Sequence, residues 1–274
     1  MSATVVSIPR LPERGRVTQA RVAASEWTKF VSLRSTRWSL GIGVLLTILF
    51  PVLFAFVTRS HWGTMSPHER ADRSPLDIAL AGVNVAQLAI AVLGVLVISG
   101  EYSTGMIRST LIAVPKRLPV LWAKIGVYAV VSFVLILPAV LVAFFASQAI
   151  LNGKHILQIS FGDPGVARSV IGGAVYVMLV GIFALGIGAI VRSTAGGIST
   201  FAGIFFVLPP LMNILPTSWN NAITQYLPSE AGRQLFSLTH GAHSLSPLAG
   251  GLLMLGYCAV VVAVAAVLLV RRDA

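Results

Sequence analysis

The sequence predicts an all-α polytopic membrane protein. It is expected to have six transmembrane helices, an N-terminal amphipathic interface helix, and a short cytoplasmic helix between the second and third spans. Three observations carry that prediction. Of 274 residues, 56% are hydrophobic and only 11% charged, whereas soluble domains run about 25% charged. Several separate runs exceed ~18 apolar residues, the length at which a helix crosses a bilayer. Those runs are unbroken, while the strands of a membrane β-barrel alternate over ~10 residues.

The elements follow in order. Residues 1–17 include Pro9, Arg10, Pro12, Arg14 and Arg16 with few large apolar groups, the composition of a disordered tail. Residues 18–37 form the interface helix. Ala20, Ala23, Ala24, Trp27, Phe30 and Val31 recur at helical spacing, opposite Arg21, Ser25, Thr28, Lys29 and Ser32. A plain membrane anchor and a docking surface for a cytosolic partner both satisfy this pattern. The membrane domain, 38–270, places spans at Trp38–Thr58, Ile78–Ser99, Leu121–Ala149, Ser169–Val191, Ile198–Leu215 and Pro247–Val270, before a short C-terminus at 271–274. The third is longer than a bilayer requires and is expected to tilt or protrude. No cleaved signal peptide is expected, because the first apolar run lies behind an arginine-rich segment.

Charge sets the orientation. Both ends and the loops after spans two and four carry 14 of the 20 lysines and arginines, and the other three loops carry 6. The bias places both termini in the cytoplasm of a multi-pass plasma-membrane protein. It also explains the net charge of +11 without nucleic-acid binding, for which no aromatic-interleaved motif is present. In the last external loop, "TSWNNAITQYLPSEAGRQLFSL" predicts one or two short interfacial helices, with Trp219, Tyr226 and Phe236 suited to a membrane boundary.

Enzymatic chemistry is not expected of this chain. There is no GxxxxGK[ST] loop and no HExxH motif, and the spans hold almost no ionisable groups. Cys258 is the single cysteine, so neither an internal disulfide nor a cysteine zinc site can form. His61, His68, His155, His240 and His243 all fall in external loops. His240 and His243 suit one helical face, but without an acidic or cysteine partner pattern no metal is expected. Asp77, Ala81, Asn84 and Gln87 share a stripe of the second span. Asn84, Gln87 and Asn213 are candidates for lining a translocation path, although interhelical hydrogen bonding is the commoner use of such amides. Pro209 and Pro210 predict a kink in the fifth span, with Asn213 available to satisfy freed backbone groups. Gly172, Gly173, Gly181, Gly186 and Gly188 predict close packing of the fourth.

Between spans two and three lies "GEYSTGMIRSTLIAVPKRLP", a charged island in an apolar surround. Ser103 or Thr104 is expected to cap a short helix with Ile107, Leu111 and Val114 on its apolar face, ended by Pro115.

Together with "SEWTKFVSLRSTRWS" before span one, this island resembles the permeases of type-2 ATP-binding-cassette (ABC) exporters, in an actinobacterial version. In that family a Glu-Trp/x-x-Lys interface helix precedes span one, matched here by Glu26, Trp27 and Lys29. A Glu-led coupling helix with a Gly-x-x-Arg core and a Pro-x-Arg exit joins spans two and three. It is matched by Glu101, Gly105, Met106, Ile107 and Arg108, then Pro115, Lys116 and Arg117, with Lys124 opening span three. With no large external domain and no fused ATPase, the resemblance is to the permease subunit. It implies pairing with a second permease subunit, as homodimer or heterodimer, among membrane lipids. It also implies a separate cytosolic ABC ATPase that carries the ATP and Mg, this chain holding no cofactor itself. Glu101 and Arg108 are then expected to make polar contacts with that ATPase, with Ile107 and Leu111 as apolar anchors and Gly105, Pro115 and Arg117 shaping the element. Drugs, antimicrobial peptides, lipids and polysaccharides are all substrates of the family resembled. A non-transporting membrane scaffold or signalling partner of a cytosolic ATPase is the alternative reading.

Overall fold

The computed structural model describes residues 18–114, 117–152, 157–238 and 244–271, and side chains there except those of Arg108, Leu111 and Ala113. The expected tail at 1–17, Pro115, Lys116, His155, His240 and His243 lie outside the described residues.

Helices are the only regular secondary structure among the described residues, which contain no strands. Six helical segments are long and apolar enough to cross a membrane, so this is a multi-pass α-helical membrane protein. In order, α1 (Gln19–Ser32) is an N-terminal helix and α2 (Arg34–His61) the first span. A short α3 (Pro67–Ala71), closed by a capping box between Ser66 and Glu69, leads to the second span, α4 (Pro75–Ser103). Next come α5 (Met106–Ala113), then α6 (Leu118–Asn152) and α7 (Val166–Val191) as spans three and four. The fifth span, Thr194–Met212, is built from α8 (Thr194–Ala202), a π-helical turn (Gly203–Val207) and α9 (Leu208–Met212). Outside the bundle, α10 (Thr217–Ile223) and α11 (Pro228–Arg233) precede the last span, α12 (Pro247–Arg271).

Each span begins or ends within a few residues of its expected place, usually extending further. Polar end residues such as Arg34 and His61 continue the helix past the apolar run. At 35 residues α6 is the longest, about 52 Å at 1.5 Å per residue. That exceeds the ~30 Å hydrocarbon core, as expected for a protruding span.

The core sits between α4 and α7, the two most enclosed spans. α2 and α6 pack on one side, and α8 and α12 close the other. The α4–α7 crossing is close because Gly94 lies against the Gly181 carbonyl, where a Cβ would collide with backbone. Tyr128 from α6 fills the space beside Gly181, and its hydroxyl donates to the Ile90 carbonyl at 2.6 Å. The glycines predicted to allow close packing therefore do so.

The double proline in span five is accommodated by a change of helical register. Pro209 and Pro210 have no N–H to offer the carbonyls one turn earlier, and the π-turn precedes them, with the Leu208 N–H reaching back to the Gly203 carbonyl. Asn213 does not serve those freed groups. It sits exposed beyond α9, its Oδ1 accepting from Asn220 Nδ2 at 3.2 Å.

The segment between spans five and six does form short helices, but it is tucked inward. Arg168 at the start of α7 donates to the carbonyls of Leu235 (3.0 Å) and Ser237 (2.8 Å), pinning the chain after α11. Trp219 and Tyr226 are exposed, whereas Phe236 is buried against Tyr176.

Candidate functional site

At the end of the bundle opposite the segment between spans five and six, four charged side chains from three helices meet. Glu26 and Lys29 lie one turn apart on α1, Glu101 is in the last turn of α4, and Lys124 is near the start of α6. Lys124 Nζ donates to Glu26 Oε2 at 2.6 Å and to Glu101 Oε1 at 2.9 Å. Lys29 Nζ donates to Glu26 Oε1 at 2.8 Å, Glu101 Oε1 at 3.2 Å and Thr110 Oγ1 at 3.1 Å. Thr110 belongs to α5, so the cluster ties both short helices, α1 and α5, to the ends of two spans. Glu26 and Lys124 are each only 4% exposed. Two carboxylates against two ammoniums leave the group neutral overall, which is what makes burial tolerable.

Burial alone pushes the Glu26 carboxyl up. The Lys124 charge and the hydrogen bonds from Lys124 and Lys29 outweigh it, and Glu26 is held below the usual carboxylate range. For Lys29, burial acts downward but is outweighed by hydrogen bonding to Glu26 and the nearby carboxylate charges, so its ammonium is held above the ordinary lysine value.

Local sequence explains the placement. Residues Val22, Glu26 and Phe30, spaced by four, are the buried stripe of α1. Of the expected apolar face, Phe30 is buried while Trp27 and Val31 are exposed, and the helix delivers Glu26 to Lys124. Between α4 and α5 the chain reverses through Gly105 at φ +71°, a left-handed conformation in which a side chain is strained. Ser103 and Thr104 do not cap α5. Their hydroxyls both donate back to the Gly100 carbonyl and finish α4 instead. α5 then presents Ile107 inward, 4% exposed, and Met106, Ser109 and Ile112 outward, Ile112 at 82%.

Glu101 and Ile107, expected to reach a partner, are thus turned into the chain's own core, and the described outward face of α5 is Met106–Ser109–Ile112. The same end is wrapped from the other side. Arg117 donates to the Leu269 carbonyl at 3.0 Å, fixing the end of α12. Arg192, which closes α7, lies over the Tyr102 ring at 4.9 Å, and Ser99 and Thr194 share a hydroxyl hydrogen bond at 2.8 Å.

The three residues expected as translocation-path candidates have different surroundings. Tyr176 on α7 donates to Gln87 Oε1 at 2.5 Å and Gln87 Nε2 donates to the Asn84 carbonyl at 2.9 Å, so the amide joins α4 to α7. Asn84 also borders a cavity of about 200 Å³ with Asp77, Glu230 and Arg233. Asn213 is engaged elsewhere, with Asn220. Among the described residues no group of three His, Cys, Asp or Glu side chains is arranged for a metal, and His68 pairs only with exposed Asp72 at 3.7 Å.

Lys124 and Thr110 are the cluster members that local periodicity does not reveal. A lysine inside an apolar run was the available signal, since such a charge needs a partner. No family model matches this chain, and no curated protein matches it. Fold and site together define a six-span helical membrane protein in which an ion-pair cluster locks two short helices onto one end of the bundle.

Proposed function

We propose that this chain is the membrane-spanning subunit of a type-2 ABC exporter, working with a second permease subunit and with cytosolic ATPase subunits that hold the ATP and Mg. One observation carries the reading. α1 and α5, the two elements best placed to take a push at one end, are joined through Lys29 to each other and to the ends of α4 and α6. A force applied at α5 passes through Thr110 and Lys29 into α1, and through Glu101 and Lys124 into two spans. The alternative of a passive scaffold needs no such connection. The bias of basic residues in the sequence supports placing this end in the cytoplasm, where an ATPase acts. The outward face of α5, Met106–Ser109–Ile112 with Arg108 beside it in the sequence, is the docking element in this reading.

The genomic neighbourhood is the first check: an ATPase with a phosphate-binding loop encoded beside this gene is the expected partner. Co-purified with that ATPase and placed in vesicles, the chain is expected to alter ATP hydrolysis when transported substrate is added. Ile112→Asp is expected to weaken ATPase association at least tenfold with unchanged thermal unfolding of the membrane chain. Arg108→Glu is expected to abolish transport while the protein remains in the membrane. Normal transport by Arg108→Glu, or ATP hydrolysis indifferent to the chain and its substrates, overturns the reading.

A further inference from the structure

The ion-pair cluster leaves one atom unanswered. Glu101 Oε1 accepts from both lysines, yet Oε2 of the same carboxylate is buried without a hydrogen-bond partner among the described residues. A buried unpaired acceptor is costly, more so when charged. Glu101, 5% exposed, lines a cleft of about 340 Å³ bounded by α1, the start of α2, the end of α4 and the start of α6. That is within the size range of small-ligand sites. The first turn of α2 borders the cleft through Ser35 and Thr36. It has no side-chain cap and carries exposed Arg34 and Arg37, a setting that favours an anion. Phe30 and Thr36 also border an apolar crevice of about 300 Å³, walled by Trp27, Val31, Leu40, Val130 and Val134.

We propose that the cleft and crevice form a binding site for an aminophospholipid of the adjoining leaflet. Its ammonium donates to Glu101 Oε2, its phosphate lies at the first turn of α2, and an acyl chain fills the crevice. The headgroup charge matters. The neutral cluster leaves an acceptor at one end of the cleft and Arg34 and Arg37 stand at the other, so a headgroup carrying an ammonium and a phosphate matches both, whereas an anionic lipid without an ammonium matches only the second. The missing interaction is a donated hydrogen, which a primary ammonium supplies and a trimethylated one lacks. The inference does not depend on the transporter reading, because it concerns binding by this chain alone.

The test is native mass spectrometry of the full chain, purified in detergent, delipidated, and titrated with lipids of identical acyl chains. Phosphatidylethanolamine is expected to bind at least tenfold more tightly than phosphatidylcholine or phosphatidylglycerol. Gly100 lines the cleft, and a Cβ there meets nothing within 4 Å, so Gly100→Leu starts its side chain in open space and extends it into the cleft. It is expected to bring phosphatidylethanolamine down to the level of phosphatidylcholine, and Ser35→Trp, from the opposite wall, to do the same. Equal binding of the two lipids by the unaltered chain, as when water alone satisfies Oε2, overturns the proposal. A preference that survives both plugs also overturns it.

Discussion

Glu26 and Lys124 stand 98 positions apart in sequence and 2.6 Å apart in the fold, both almost wholly shielded from water. Neither charge is stable there without the other. The desolvation cost of each is offset only by its partner and by the second pair, Lys29 and Glu101. The position of α1 against α6 is therefore set by charge as much as by the small apolar contact of Val22 with Val120 and Ala123.

Removing one member is expected to cost more than removing two. Lys124→Met leaves two buried carboxylates facing a single ammonium, and breaking a buried pair in this way costs about 3–5 kcal/mol. Combining it with Glu26→Gln restores neutrality and is expected to recover part of the loss. Thermal unfolding in detergent of both single variants and the double variant measures the coupling. Additive losses would mean that the two side chains do not depend on each other.

The six spans are legible because a run of apolar residues long enough to cross a bilayer has few alternatives, and α5 is legible as a short helix, although the cap expected at Ser103 or Thr104 is replaced by the turn at Gly105. The cluster is not. Helical periodicity reports neighbours three and four residues away, while Lys29 reaches Glu101 across 72 positions. Periodicity also carries no information on which charges turn inward, as Glu26 and Glu101 do. At Pro209–Pro210 the sequence announced a break, but the π-turn that absorbs it depends on the register of the preceding turn.

Acid and alkali are expected to act on the cluster from opposite sides. Glu26 has a folded pKa below its unfolded value of 4.5, so its contribution is present above 4.5 and lost as pH falls through the lower folded value. Lys29 is raised above 10.5, so its contribution is complete below 10.5 and lost as pH rises through the folded value. These two groups therefore leave stability flat from about pH 6 to 9. Melting temperature against pH is expected to fall on the acid side, and Glu26→Gln to shrink that acid limb. An acid limb of undiminished size in Glu26→Gln would assign it to other groups.

The α4–α7 contact predicts a sharp contrast between two glycines. At Gly94 an added methyl group meets the Gly181 backbone, whereas at Gly256 on α12 it meets nothing within 4 Å. Gly94→Ala is expected to destabilise by about 1–3 kcal/mol through overpacking. Gly256→Ala is expected to be neutral or to stabilise by up to about 1 kcal/mol through helix propensity. Unfolding of the two variants under one detergent condition compares them directly. Equal effects would mean that the helices separate freely at Gly94.

Thr110 is the thread by which α5 is held to the cluster, and replacing it separates local attachment from global stability. Its hydroxyl accepts from Lys29 at 3.1 Å and donates to the Met106 carbonyl at 3.1 Å. Thr110→Val keeps the shape of the side chain but removes the acceptor, at a cost of about 1 kcal/mol for one such hydrogen bond. Lys29 keeps Glu26 and Glu101, so the joint between α1, α4 and α6 is expected to survive. The loss should then appear as faster amide hydrogen exchange confined to α5, with protection in α4 and α6 unchanged. Exchange that accelerates in α1 and α6 as well would make Thr110 part of the cluster's own stability. Unchanged exchange in α5 would leave the packing of Ile107 as the contact that holds the helix in place.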